Sequence, residues 1–230
     1  MNAQVLVLAK APLPGRVKTR LCPPCTPEQA ADIARAALLD TLDAVDGVPE
    51  AQLTRSSLVF DGAISTLDDR VWPRVGWVHC AQRGGSLGER IAHAFADTAI
   101  DGVGSVLIGM DTPQVDGALL AQCVGALSCA DAVLGHAADG GWWLLGLRNP
   151  DQASLIRSVP TSRLDTGART RDVLAQAGLV IADPPVLSDV DTAADARRVA
   201  AACRPGARFV AAVNRALFAS QPRHDVEVSR

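Results

Sequence analysis

Short apolar runs without alternation recur along the chain, each closed by a glycine, a proline or a charged residue. Gln4 to Ala9 is the first, and Ser105-Val106-Leu107-Ile108-Gly109 is the plainest. Runs of this length with no polar face predict strands buried on both sides, as in a parallel sheet covered by helices. Ser57 to Phe60, Gly76 to His79, Asp131 to Gly135, Trp142 to Leu147 and a short stretch around Val180-Ile181 complete the set. Between them the period changes. Thr26-Pro27-Glu28-Gln29 supplies an N-cap, a proline at the first helical position and a capping-box glutamine, with Ala30, Ile33, Ala34, Ala37, Leu38, Leu42 and Val45 at helical spacing behind it. Ser86-Leu87-Gly88-Glu89 opens a second helix in the same way, carrying Ile91, Ala94 and Phe95 inward. Further helices are expected over Leu119 to Leu127 and about Arg169 to Gly178, with a final helical region beginning at Ala193 to Cys203. Strands alternating with helices give an α/β fold with a mostly parallel central sheet. Asp139-Gly140-Gly141 separates two strands by too few residues for a crossover, so that pair is expected to be locally antiparallel.

With 230 residues and 48% hydrophobic content, the chain can bury one good core and needs no second domain. Residues 1–220 are expected to form that domain, and the polar, patternless stretch 221–230 a disordered tail. The formal net charge of −3 offers no broad basic field, which excludes a nucleic-acid partner bound through phosphate neutralisation. No apolar stretch approaches membrane-spanning length, and no secretory signal precedes the first strand, so a cytoplasmic protein is expected. Six dispersed cysteines make no disulfide framework, and Cys22-Pro-Pro-Cys25 lacks the two further ligands that a zinc site needs. Oligomeric state is not legible.

Two groups of residues carry candidate chemistry. The loop after the first strand, Lys10-Ala11-Pro12-Leu13-Pro14-Gly15-Arg16-Val17-Lys18-Thr19-Arg20-Leu21, concentrates Arg16, Lys18 and Arg20 where a di- or triphosphate would need cations; a plain basic surface loop is the competing reading. It matches neither the P-loop nor the dinucleotide fingerprint. The acids form the second group. Asp111 follows a central strand at its carboxyl end, where open α/β sheets bind ligands, although it could instead cap the helix starting near Asp116. Asp189 and Asp191, at i and i+2, can share one side of an extended segment, and either one with Asp111 would suffice to hold magnesium, or Asp191 or Thr192 can cap the last helix. Asp139-Gly140-Gly141 is either a turn or a place where a ligand nears the backbone. Trp142 and Trp143 read as core or rim, and His79, His93 and His136 as bystanders.

The basic loop, Gln82 to Arg90, Ile108-Gly109-Met110-Asp111-Thr112-Pro113, Asp139 to Leu147 and Asp189-Val190-Asp191-Thr192 together resemble a little-characterised bacterial family. It lies in the nucleotide-diphospho-sugar transferase superfamily, and its members are often labelled arsenosugar-biosynthesis glycosyltransferases or unknown-function domains. The resemblance runs from about Val5 to about Cys203. It implies a single-domain glycosyltransferase-A-like (Rossmann-like) three-layer sandwich, and a distant kinship to molybdenum-cofactor and phospholactate guanylyltransferases. By that likeness Lys10, Pro14, Gly15, Arg16, Lys18, Thr19, Arg20 and Gly85 would bind nucleotide, and Asp139, Gly140 and Gly141 substrate. Asp111 and Asp191 would hold Mg2+ or Mn2+ beside Asp189, with Lys18 acting catalytically. Two departures stand out: Met110-Asp111-Thr112-Pro113 replaces the family's common Ser-Asp-Cys-Pro, and Val159 to Gly167 matches only loosely. The expected function is a magnesium-dependent transferase joining a nucleotide triphosphate or nucleotide-sugar to a small acceptor. Nucleotidyl transfer is favoured over glycosyl transfer because a basic loop suits a triphosphate; a non-catalytic nucleotide-binding module is the alternative of another class.

Overall fold

The computed structural model describes residues 2–217. Seven strands form one sheet in the order β3-β2-β1-β4-β6-β5-β7. They are β1 (Ala3–Lys10), β2 (Leu53–Asp61), β3 (Trp77–Ala81), β4 (Gly104–Gly109), β5 (Ala132–His136), β6 (Trp142–Leu147) and β7 (Ile181–Ala182). All neighbours are parallel except β6, which runs antiparallel to both β4 and β5. The short connection through Asp139-Gly140-Gly141 is what reverses it, as expected from its length. The tail expected from Gln221 lies outside the described residues, as does part of the expected domain 1–220.

The apolar runs sit where their lack of alternation places them. On β1, Val5 and Val7 face α1 (Pro27–Asp46) and α3 (Gly117–Ala126) in one apolar cluster, while Leu6 joins Phe95 of α2 (Leu87–Thr98) and Leu174 of α4 (Thr166–Gln176) in another. A strand alternates its side chains between two faces, so a strand covered on both must be apolar throughout. The result is the three-layer sandwich. Both predicted capping boxes form: Thr26 with Gln29 and Ser86 with Glu89.

A third cluster lies beyond α1, where α5 (Ala193–Ala202) and α6 (Arg208–Leu217) bury Ile33, Val199, Phe209 and Val213. The first turn of α6 is satisfied from afar: buried Asp40 of α1 accepts from the backbone N–H of Arg208 at 3.1 Å and of Phe209 at 2.8 Å. Helix boundaries elsewhere move by a few residues, α4 beginning at Thr166 rather than Arg169.

Candidate functional site

The strand order reverses direction between β1 and β4, since the chain leaves β1 toward β2 on one side and reaches β4 on the other. A crevice opens at such a switch point, outside the carboxyl ends of the strands. Here it is a cleft of about 970 Å³, and it gathers most of the residues expected from sequence. Lys10, Arg16, Lys18, Thr19, Arg20, Gly85, Asp111, Asp139, Gly141, Asp189 and Asp191 line it; Pro14, Gly15 and Gly140 shape its loops without lining it.

The helix-cap roles considered for the acids fall to other residues. Asp116, not Asp111, caps α3 by accepting from Leu119 N–H at 2.8 Å. Thr192, not Asp191, caps α5 in a capping box with Asp195. Asp111 and Asp191 make neither cap, and both line the cleft. Val190 N–H donates to the Asp111 carbonyl at 3.1 Å, which joins the end of β4 to the 189–191 segment and brings the distant acids together.

The basic loop crosses this junction. Lys18 has left-handed backbone (φ 50°), and its side chain, only 6% exposed, places Nζ 2.6 Å from Asp111 Oδ1 while also donating to the Val190 carbonyl. Arg20 Nη1 lies 2.9 Å from Asp191 Oδ2. Arg16 and Lys10 have no side-chain partner among the described residues. Gly85 does not offer its amide, because that N–H donates to Glu89 Oε2 at 2.8 Å.

Asp139 accepts from Gly141 N–H at 2.8 Å, closing its own turn. Gly140 (φ 89°) is pressed so close to the Leu164 carbonyl that a Cβ would lie 1.9 Å from its oxygen, and Gly167 N–H donates to the Gly140 carbonyl at 2.8 Å. The glycines therefore seat the 161–167 segment against the turn, making the cleft wall in which Ser162 adopts φ 60°. Trp143 is core, with Nε1 donating to the Pro185 carbonyl, Trp142 is half-buried, and both border the cleft.

Three polar cleft residues lie in stretches quoted from the sequence without a role for them. Gln82 donates to the carbonyls of Ala9 and Val59 at 2.9 and 3.0 Å, tying the ends of β1 and β2; Arg90 pairs with Asp61 at 2.7 Å; Arg163 pairs with Asp165 at 3.1 Å. Single polar residues whose partners are distant carry no spacing that could have marked their roles.

The acids are not evenly compensated. Burial, together with the charges of Asp139 and Asp191, pushes the Asp189 carboxyl up to about 6. Its charge therefore destabilises the fold where it is ionised. With the folded value raised above the unfolded one near 4, the penalty is absent below about pH 4, grows between about 4 and 6, and is full above 6. Asp189→Asn is expected to stabilise the metal-free protein by about 1 kcal/mol at pH 7.5, after discounting for solvent screening. Thermal melts in EDTA should show the gain vanish by pH 4; a gain independent of pH would contradict this origin.

Among the described residues, no three His, Cys, Asp or Glu side chains are grouped closely enough to hold a metal by themselves. The donor set nevertheless fits an ion that brings its own oxygen ligands, since magnesium bound to a nucleotide needs only one or two carboxylates. A surplus of negative charge around Asp189 is what such an ion would relieve.

The family model described as "Uncharacterized protein conserved in bacteria (DUF2064)" matches residues 44–163, a little over half of the chain. No curated protein matches it. Among solved structures, the chain is similar to a Desulfovibrio desulfuricans G20 protein provisionally assigned as a nucleotide-diphospho-sugar transferase. That match has 24% identity and a TM-score of 0.80, covering 94% of this chain and 95% of the other. Rv0371c of Mycobacterium tuberculosis H37Rv in complex with manganese shares 20% identity at a TM-score of 0.52, over 86% of this chain and 98% of the other. A Leptospira borgpetersenii cytidylyltransferase shares 12% identity at a TM-score of 0.56, over 93% of both chains. At these identities the likeness establishes the shared α/β fold. Among the described residues, no helix is long and apolar enough to cross a membrane.

Proposed function

We propose, starting from the fact that this chain belongs to the bacterial family DUF2064, that it is a divalent-metal-dependent transferase acting on an activated nucleotide, with nucleotidyl transfer to a small acceptor as its reaction. One observation carries this reading: four cations of one loop line the same cleft as the carboxylates at the topological switch point, where Lys18 pairs with Asp111 and Arg20 with Asp191. Lys10, Arg16, Lys18 and Arg20 would hold a triphosphate, with Pro14, Gly15 and Thr19 setting the loop's course. Asp111 and Asp191 would hold Mg2+ or Mn2+, with Asp189 beside them. When bound, the ion neutralises charge gathering on the leaving phosphate oxygens.

In the reaction an acceptor oxygen attacks the α-phosphorus, the bond to the β-phosphate bridging oxygen breaks, and pyrophosphate leaves as the acceptor proton passes to solvent. No covalent enzyme intermediate is required. The residues contribute position and charge: the loop fixes the phosphates, and the 161–167 wall, seated on Asp139-Gly140-Gly141, flanks the space left for an acceptor. The manganese complex of the mycobacterial relative and the cytidylyltransferase neighbour support this choice of chemistry. A second reading, glycosyl transfer from a nucleotide-diphospho-sugar, is favoured by the better fold match to the provisionally assigned Desulfovibrio transferase.

Pyrophosphate release from a nucleoside triphosphate panel, set against nucleoside diphosphate release from nucleotide-sugars, separates the two. Binding without either product would make the chain a nucleotide-binding module. The unpartnered Arg16 gives a milder test: Arg16→Ala should weaken triphosphate binding by about threefold to tenfold, less so as salt rises, with the melting temperature unchanged. Parent-like affinity at low salt would remove Arg16 from the site.

A further inference from the structure

The loop cations and the acids of this cleft hold one another. Lys18 Nζ is 2.6 Å from Asp111 Oδ1, and Arg20 Nη1 is 2.9 Å from Asp191 Oδ2. Lys18 also has left-handed backbone, which costs a non-glycine residue about 1 kcal/mol, and its side chain contacts both Asp111 and Val190.

We propose that Lys18 and Arg20 are the resident counter-ions of Asp111 and Asp191, so that metal and nucleotide phosphates enter the cleft together by exchanging partners and each alone is held weakly. This deepens the transferase reading and rests on it.

A divalent ion arriving alone must take Asp111 and Asp191 from their cations. That leaves the Lys18 ammonium, almost wholly buried, without an anion, a costly state. Phosphates arriving alone must take the cations from the acids, and then sit beside three bare carboxylates. When both arrive, Lys18 and Arg20 pass to phosphate oxygens as Asp111 and Asp191 pass to the ion, and no charge is stranded. Lys10 and Arg16 stand outside this exchange and give the first attraction. Coupling of this kind is reciprocal: whatever factor phosphate adds to metal affinity, metal adds to phosphate affinity. Its use is to keep a hydrated metal from occupying the site without nucleotide.

Two calorimetric titrations, neither relying on turnover, test the exchange. The first adds Mn2+ to nucleotide-free protein. Arg20→Ala, which removes a largely exposed side chain, should bind Mn2+ about threefold to fivefold more tightly than the parent. Lys18→Gln, which keeps hydrogen-bonding reach without charge, should gain about tenfold, the lost partner being more buried. The second adds inorganic tripolyphosphate in EDTA, where Asp191→Asn should bind about threefold more tightly because Arg20 is released. A merely structural role for these pairs would raise neither affinity. If the parent and the mutants bind both probes equally, or the mutants bind them more weakly, the exchange is overturned while the transferase reading stands. If no form binds Mn2+ and tripolyphosphate even when the two are supplied together, both fall.

Discussion

Asp111→Asn is expected to lower turnover by about two orders of magnitude or more while leaving the fold intact. Asp111 lies just past the end of β4, and its side chain is about half exposed. Its structural bond is made by the backbone carbonyl, which accepts from Val190 N–H whatever the side chain is. Asparagine keeps an oxygen for Lys18 Nζ but not the charge, so the loop keeps a contact at some cost in stability. Only the negative charge is lost, and a neutral amide competes poorly with water for a hard divalent cation. The melting temperature should fall by several degrees with the domain still folded, while metal-dependent nucleotide affinity and kcat fall together. Metal-dependent affinity equal to the parent's would take Asp111 out of the site.

A second large effect is expected at a residue with no functional group. Gly140→Ala should destabilise the protein by about 3 kcal/mol or more, for two reasons that add. The backbone there has φ 89°, and a Cβ would lie 1.9 Å from the Leu164 carbonyl oxygen and 2.6 Å from its carbon. Neither side can yield cheaply, because Gly167 N–H is bonded to the Gly140 carbonyl and the space around Gly167 is itself filled by the Gly141 carbonyl. If the protein survives, the 161–167 wall must move, and hydrogen exchange in that segment should accelerate. Gly15→Ala is the control. Its φ of 72° carries the backbone cost of about 1 kcal/mol, but no atom lies within 4 Å of the added carbon. Urea unfolding that ranks the two substitutions equal would show that the contact with Leu164 does not hold the wall.

The sequence reached the strands through their composition. Val5-Leu6-Val7-Leu8 and Val106-Leu107-Ile108 are apolar on consecutive positions because both sheet faces are covered, and this is a local property that a pattern can report. The capping boxes at Thr26 and Ser86 were equally legible, each being a bond between residues three apart. The reversal at Asp139-Gly140-Gly141 followed from length alone. The basic loop and the acids could be nominated because carboxylates and cations at strand ends have a chemistry of their own, whatever surrounds them.

What the chain alone left open was always a choice between partners distant in sequence. Asp111 and Asp191 could each have been a cap; Asp116 and Thr192 took those roles, and the bond from Val190 N–H to the Asp111 carbonyl brought the acids to one cleft. The acid that caps α6 comes from α1, so no local signal announced that helix start. Gly140 read as a turn or a ligand approach, yet the atom that demands a glycine belongs to Leu164. The pairing of Lys18 with Asp111 could not be read either, since it joins β1's loop to β4's end. Local sequence fixes what each segment can be, through backbone preference and burial; which of the possible partners a polar group takes is decided by the packing of segments far apart in the chain, because only there is the cost of leaving a buried charge or carbonyl unpaired assessed.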